Sequence, residues 1–196
     1  MNMSTQQMGR MRIILTGLIT IAEMGQLAWE YAHGGIQSHH LLNQPNLPAI
    51  SNVWSALLLP TLTWFLLGRI QARVLSRSEG TGWLLNLPIN IVAGFMGSLV
   101  YGALLAIAFT AHYEETAFYL LIGLLVAAVL IPVYRAEYVL GFILGMTFTF
   151  GAVLPTIVAS LVAAISASFH FLVRHAIKFI RDVLTSRRSR GLGENS

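Results

Sequence analysis

The chain has no cysteine and few charged residues, and each of these absences excludes a class of protein. Without cysteine there can be no disulfide, no thiolate metal site and no cysteine nucleophile. Only 10% of the 196 residues are charged and 56% are hydrophobic, whereas a soluble domain carries about 25% charged residues. The composition therefore predicts an integral membrane protein, with no room for a soluble catalytic domain.

Apolar stretches separated by short polar segments predict an all-α bundle of six transmembrane helices. A span needs about 20 mainly apolar residues. The predicted spans are residues 11–32, 50–68, 83–111, 116–134, 136–154 and 156–173. They form a single domain over residues 1–190, followed by a predicted disordered tail over residues 191–196.

Composition alone does not mark a boundary between the last two spans, because residues 137–173 are almost continuously apolar. As one helix this stretch would be about 55 Å long, against a bilayer core of about 30 Å. Gly151 and Pro155 interrupt its middle and predict a tight hairpin there. In the fifth span, Gly141 and Gly145 predict a close contact with another helix. The fourth span has almost no polar side chains and is predicted to face lipid.

The basic residues orient the predicted bundle. With the N-terminus in the cytoplasm, all twelve fall in cytoplasmic segments: Arg10, Arg12, Arg69, Arg73, Arg77, Arg135, Arg174, Lys178, Arg181, Arg187, Arg188 and Arg190. Cytoplasmic loops of membrane proteins carry an excess of Lys and Arg. We therefore predict a multi-pass protein of a bacterial inner membrane, with both ends in the cytoplasm and an outer face free of basic residues.

After the sixth span, the pattern predicts a basic amphipathic helical extension. His170, Arg174, Lys178 and Arg181 recur at helical spacing, with apolar residues on the other side. Such a segment binds anionic lipid at the bilayer surface. The sequence pI of about 9.9 therefore reflects topology, and we expect no nucleic acid partner. A homo-oligomer and a subunit of a larger complex both remain open.

One face of the first span carries polar residues at helical spacing: Thr16, Thr20, Glu23, Gln26, Glu30 and His33. An ionised carboxylate at mid-membrane costs about 2.5–3.5 kcal/mol on insertion scales, so such groups face a bundle interior or a wet cavity. Asn86, Asn90 and Tyr101 share a face of the third span and could complete an intramembrane polar pathway with Glu23 and Gln26. The alternative is a structural carboxyl that is hydrogen-bonded to a neighbouring helix.

The predicted outer face collects histidines and acids. They are Glu30, His33, His39, His40, His112, Glu114 and Glu115. Imidazole and carboxylate ligands suit a transition metal such as zinc, copper or iron, and Glu30 and His33 have the Glu-x-x-His spacing of di-metal helical bundles. A shared site requires the first and third spans to be neighbours. The alternative is that these side chains are solvated in loops.

Three functions fit these patterns. The first is a protein that binds a metal cation outside and handles ions or protons along the Glu23 stripe. The second is a metal-dependent membrane enzyme acting on a lipid-like substrate, with a metal-bound water as nucleophile and Glu114 as general base. The third is a structural or accessory subunit whose polar stripe packs against a partner.

Overall fold

The computed structural model describes residues 3–36, 38–40, 49–76 and 89–193, with side chains over residues 9–36, 38, 51–76 and 89–182. In these ranges the chain forms six helices: α1 Met3–Ala32, α2 Ser55–Leu75, α3 Ile89–Thr110, α4 Glu114–Leu130, α5 Ala136–Phe150 and α6 Val153–Gly193. Strands β1 (Ser38–His40) and β2 (Ala49–Ser51) pair antiparallel, and a 3₁₀ turn, Asn52–Trp54, leads into α2. Apart from this hairpin, the prediction of a helical protein is confirmed.

Four helices within the described residues are long and apolar enough to cross a bilayer: Gly9–Ala32, Asn52–Leu75, Ile89–Thr110 and Val153–Asp182. These four helices indicate a membrane protein. Helices α4 and α5 have 17 and 15 residues, which corresponds to about 26 and 22 Å. Both are therefore shorter than a bilayer core of about 30 Å and shorter than the spans predicted for them.

Two helix ends follow from local backbone rules. Helix α4 ends at Leu130, because Ile131 precedes Pro132 and adopts extended angles, φ −120° and ψ 141°. Helix α5 ends at Phe150, because Gly151 adopts φ +65°, a conformation that glycine reaches without a steric penalty. The predicted hairpin between the fifth and sixth helices is thereby confirmed.

Other boundaries differ from the predicted ones. Helix α2 continues to Leu75 and does not end at residue 68, since the arginines that follow are good helix formers. Helix α6 continues to Gly193, so residues 191–193 of the predicted tail are helical. Residues 83–88, the predicted start of the third span, and residues 194–196 lie outside the described residues.

Helix α5 is the central helix of the bundle. It packs on α2, α3 and α6, and its buried residues are Glu137, Leu140, Gly141, Phe142, Ile143, Met146 and Thr147. The closest packing is against α3. A Cβ on Gly141 would collide with the Phe95 carbonyl, and one on Gly145 would collide with the Leu99 carbonyl and lie 3.0 Å from the Ala103 nitrogen. The predicted glycine contact is therefore confirmed, with α3 as the partner helix.

The remaining helices surround this pair. Helix α1 packs chiefly on α2, and α4 packs on α6 and α3. Large apolar side chains of α4 remain exposed, among them Phe118, Val126 and Leu130. Helix α4 thus lies at the periphery of the bundle with apolar side chains on its surface, and its contact with lipid stays a prediction.

Contacts along the helices show that α2 runs antiparallel to both α1 and α5. Arg12, early in α1, donates from Nε to the Trp64 carbonyl of α2 at 2.8 Å. At the far end of α2, Ser55 Oγ accepts a hydrogen bond from Ala152 N between α5 and α6 at 2.6 Å. We call the end that holds Arg12, Arg69 and Arg73 the basic end, and the end that holds Glu30 and Ser55 the Glu30 end.

Candidate functional site

The polar face of α1 lines a cleft against α2 and α5. The cleft has a volume of about 740 Å³, and Glu23, Gln26 and Glu30 all line it together with apolar residues such as Leu59 and Leu144. Small-molecule pockets in proteins measure about 300–1,000 Å³. The structure thus places three of the predicted polar residues along one cleft that is large enough for a small ligand.

Glu23 is the most buried of the three, since only 3% of its surface is exposed. Its carboxyl group lies beside the Ser55 hydroxyl at the start of α2. Because Ser55 Oγ also accepts from Ala152 N, one hydroxyl links Glu23 to the turn between α5 and α6. Three helices therefore meet at this carboxyl.

Glu30 is bound by two side-chain amides. Asn52 Nδ2 donates to both carboxylate oxygens, at 3.0 and 3.3 Å. Gln26 Nε2 donates to Glu30 Oε1 at 3.3 Å and to the Phe148 carbonyl at 3.0 Å. Gln26 lies between the two carboxyl groups along α1, so Glu30, Gln26 and Glu23 form a continuous polar line.

The turn at Gly151 packs against Asn52 and Ser55, the two α1-facing polar residues at the start of α2. A Cβ on Gly151 would lie 2.9 Å from Ser55 Oγ and would collide with Asn52 Oδ1. The residue also has a positive φ, which disfavours other residues. Glycine at this position therefore lets the turn approach both Asn52 and Ser55.

Two hydroxyls extend the polar line toward the basic end. Thr16 Oγ1 and Thr63 Oγ1 are buried and have no hydrogen-bond partner in the described part of the chain. Thr16 lies two turns before Glu23 in α1, and Thr63 lies on the face of α2 that also carries Ser55. A buried hydroxyl without a partner is unusual in a folded protein.

His33 lies at the Glu30 end of α1 with its ring stacked on Trp29, at 3.6 Å between centroids. Its Nδ1 is 2.9 Å from the Trp29 carbonyl, so this nitrogen carries the proton and donates. In the neutral ring, Nε2 is then the nitrogen that can bind an ion. The side chain is exposed.

The other predicted ligands are spread out. The backbone of His39 pairs with Ile50, two residues before Asn52, whereas the side chains of His39 and His40 lie outside the described residues. Glu114 and Glu115 are exposed in the first turn of α4, where acids interact favourably with the helix dipole. Among the residues whose placement is described, no group of three or more His, Asp or Glu could hold a metal.

His112 has a structural role at the end of α3. Its φ is +58°, and the bonds Tyr113 N to Ala108 O and His112 N to Phe109 O form the Schellman motif that ends many helices. Helix α1 packs chiefly on α2, whereas α3 packs chiefly on α5. The close pairing of the first and third helices that a shared metal site needs is therefore not the main packing of this bundle.

The predicted partners in the third span lie elsewhere. Tyr101 O–H donates to the Leu120 carbonyl of α4 at 2.6 Å, and Tyr101 and Asn90 line a separate cavity of about 460 Å³. Asn86 lies outside the described residues. The residues near Glu23 come instead from α2, on which α1 packs, and the pathway shared by Glu23, Gln26, Asn90 and Tyr101 stays a prediction.

One charged pair was not predicted. Glu137, only 1% exposed at the start of α5, forms an ion pair with Arg73 of α2. The signal in the sequence is that Glu137 is the only acid between Glu115 and Asp182. Such an isolated acid beside an apolar run needs a basic partner.

No protein-family model, curated protein or solved structure matches the chain significantly. Its chemistry is therefore inferred from the geometry of its own residues.

Proposed function

We propose that the chain is a six-span protein of a bacterial inner membrane that moves protons or small cations through the cleft at Glu23. The observation that supports this best is the burial of Glu23 beside a cleft of about 740 Å³ that Glu30 also lines. Carboxyl groups within spanning helices are costly, and they mark ion and proton pathways in membrane proteins.

The antiparallel packing of α2 against α1 and α5 supports the six-span topology. Arg12, Arg69 and Arg73 lie at one end of the bundle, which would be the cytoplasmic side. The short helix α5 is surrounded by α2, α3 and α6, so the backbone at its ends contacts protein and need not extend to the bilayer surfaces. The Glu30 end would then face the periplasm.

In this proposal the cargo enters at the Glu30 end. A proton or cation first meets the Glu30 carboxylate, which Gln26 and Asn52 hold in place, and then reaches Glu23. The buried hydroxyls of Thr16 and Thr63 continue the line toward the basic end, where they can bind water or the cargo.

Proton flux into proteoliposomes tests this function. With a potassium diffusion potential as the driving force and a pH-sensitive dye inside, we expect wild-type flux well above that of protein-free vesicles. Glu23→Gln keeps the side-chain shape but removes the titrating group, and should lower the flux by at least about tenfold. Asp182→Asn makes the same chemical change at an exposed residue of α6 and should leave the flux unchanged. Equal flux in Glu23→Gln and wild type would contradict the proposal.

A metal site at Glu30 and His33 is the second candidate. The observation that favours it is the contact between His33 Nδ1 and the Trp29 carbonyl, since metal-binding histidines usually donate their other nitrogen to such an acceptor. Zinc, copper or iron would suit these ligands, with His39 or His40 from β1, His112, Glu114 or Glu115 as further ligands. Such a metal could serve cation uptake or a metal-dependent enzyme acting on a lipid-like substrate.

The exposed far part of α6 is a proposed lipid-binding segment. From Phe171 to Asp182 every side chain is exposed. Leu172, Phe179 and Ile180 lie on one side of the helix, and Arg174, Lys178 and Arg181 lie on the other. We propose that this segment binds anionic lipid at the cytoplasmic surface. An accessory subunit or homo-oligomer would instead cover its apolar side with protein.

A further inference from the structure

A second cavity lies apart from the Glu23 cleft, between α3, α4, α5 and α6. Its volume is about 460 Å³, which is within the range of ligand pockets. Small residues leave this space open, among them Gly97, Ala127 and Ala159. A Cβ on Gly97 would meet nothing within 4 Å, so the position opens directly onto free space.

The lining of this apolar cavity continues onto the outside of the bundle. Ile131 lines the cavity and is also 42% exposed. The neighbouring residues Val129 and Leu130 of α4 are exposed apolar side chains. An apolar chain from the surrounding bilayer can therefore reach the cavity without crossing a polar barrier.

A third cavity, of about 450 Å³, lies on the other side of the turn between α4 and α5. It is lined by Tyr134, Ser168 and Arg174, together with Ala167 and Phe171. Two contacts hold this turn against α6. Ser166 Oγ donates to the Ile131 carbonyl at 3.2 Å, and the Tyr134 ring lies 5.8 Å from the His170 ring. One turn thus separates an apolar cavity from one with hydroxyls and a guanidinium group.

We propose that the two cavities together bind one anionic phospholipid, with an acyl chain in the apolar cavity and the phosphate at Arg174 and Ser168. A guanidinium group binds phosphate with two parallel hydrogen bonds, and a serine hydroxyl adds a third. Arg174 forms no ion pair within the described residues. The site deepens the proposed binding of anionic lipid by the α6 segment that contains Arg174, and it is independent of the proposed proton pathway, because it uses neither Glu23 nor α1.

Lipid retention tests this site. The protein is purified in mild detergent, titrated with phosphatidylglycerol and examined by native mass spectrometry. We expect one phosphatidylglycerol per wild-type chain, and occupancy lowered at least about tenfold in Gly97→Leu, which fills the apolar cavity, and in Arg174→Gln, which removes the phosphate ligand. Gly25→Leu, at another open glycine, and Arg69→Gln, at an exposed arginine of the same end, should retain the lipid.

Three results would overturn the proposal. One is wild-type occupancy in Gly97→Leu. Another is an equal loss in Arg174→Gln and Arg69→Gln, which would indicate general attraction to positive charge. The third is equal binding of phosphatidylcholine and phosphatidylglycerol. Since Arg174 is exposed, its substitution does not disturb the core, and it tests the site even if Gly97→Leu fails to fold.

Discussion

Arg73, near the end of α2, forms an ion pair with Glu137 in the first turn of α5. The Glu137 side chain is 2% exposed and that of Arg73 is 26% exposed, so the acid is buried and the base reaches the surface. The pair joins the peripheral hairpin of α1 and α2 to the central helix at the basic end.

Removing one partner of this pair should destabilise the fold. Arg73→Met leaves the buried Glu137 carboxylate without its base, and we expect a loss of roughly 3–5 kcal/mol in unfolding free energy. The double variant Arg73→Met/Glu137→Leu should lose less than the sum of its single variants, since no unpaired charge remains. Denaturant unfolding in detergent measures this, and strictly additive losses would argue against a coupled pair.

The contact of α5 with α3 should tolerate no added side chain. Gly145→Ala places a methyl group against the Leu99 carbonyl of the neighbouring backbone, and overpacking of this kind costs about 1–3 kcal/mol. Gly97→Ala is the matched control, because its methyl group enters open space and gains up to about 1 kcal/mol of helix propensity. Thermal unfolding should therefore shift in opposite directions, and equal shifts would show that the helices can separate at Gly145.

A metal at the Glu30 end is testable by elemental analysis of the purified protein. We expect stoichiometric zinc, copper or iron in wild type, with content lowered at least about tenfold in Glu30→Ala and in His33→Ala, since each removes a ligand. Trp64→Phe, an aromatic change at the basic end, is the control. Absence of metal from wild type would end the metal proposal while leaving proton transfer at Glu23 open.

Variants of His112 distinguish two roles of this residue, as a metal ligand and as the residue that ends α3. His112→Gly suits the positive φ at this position and should preserve or slightly raise stability, whereas His112→Val should lose about 1–2 kcal/mol, because a β-branched residue is strained there. Unfolding measurements distinguish the two variants. If metal is bound, its loss from the stable His112→Gly protein would identify the imidazole as a ligand, and unchanged metal content would assign His112 to the cap alone.

The lack of cysteine makes the topology easy to measure, since any introduced cysteine is unique. Ser38→Cys lies in β1, at the Glu30 end, and should react with a membrane-impermeant maleimide in intact spheroplasts. Ser76→Cys lies just after α2, at the basic end, and should react only after the membrane is opened. The reverse pattern would invert the proposed orientation and the direction in which Glu30 meets its cargo.

Features governed by local rules were predictable. The hairpin at Gly151 and the glycine contact at Gly141 and Gly145 follow from spacing and backbone conformation alone. The central position of α5 was not predictable, because a helix buried among other helices and a helix facing lipid are equally apolar. The pairing of Arg73 with Glu137 was also missed, because the sequence does not show that α2 and α5 are neighbours.

The candidate site divides in a similar way. The spacing along α1 predicted that Glu23, Gln26 and Glu30 share a face, and they share a cleft. Their partners, Ser55 and Asn52, come from the start of α2, which the periodicity of α1 cannot reveal. Asn90 and Tyr101 were grouped with them because they share a face of the third span, but they line a different cavity.

Helix α6 is continuous from Val153 to Gly193, a length of about 62 Å. Its first residues adjoin Ala152, whose amide binds Ser55 beside Glu23, and its far part carries the exposed basic segment. The length of α6 is about twice the thickness of a bilayer core of about 30 Å. A helix that crosses the core with its first half therefore carries its second half, with Arg174, Lys178 and Arg181, beyond the hydrocarbon region.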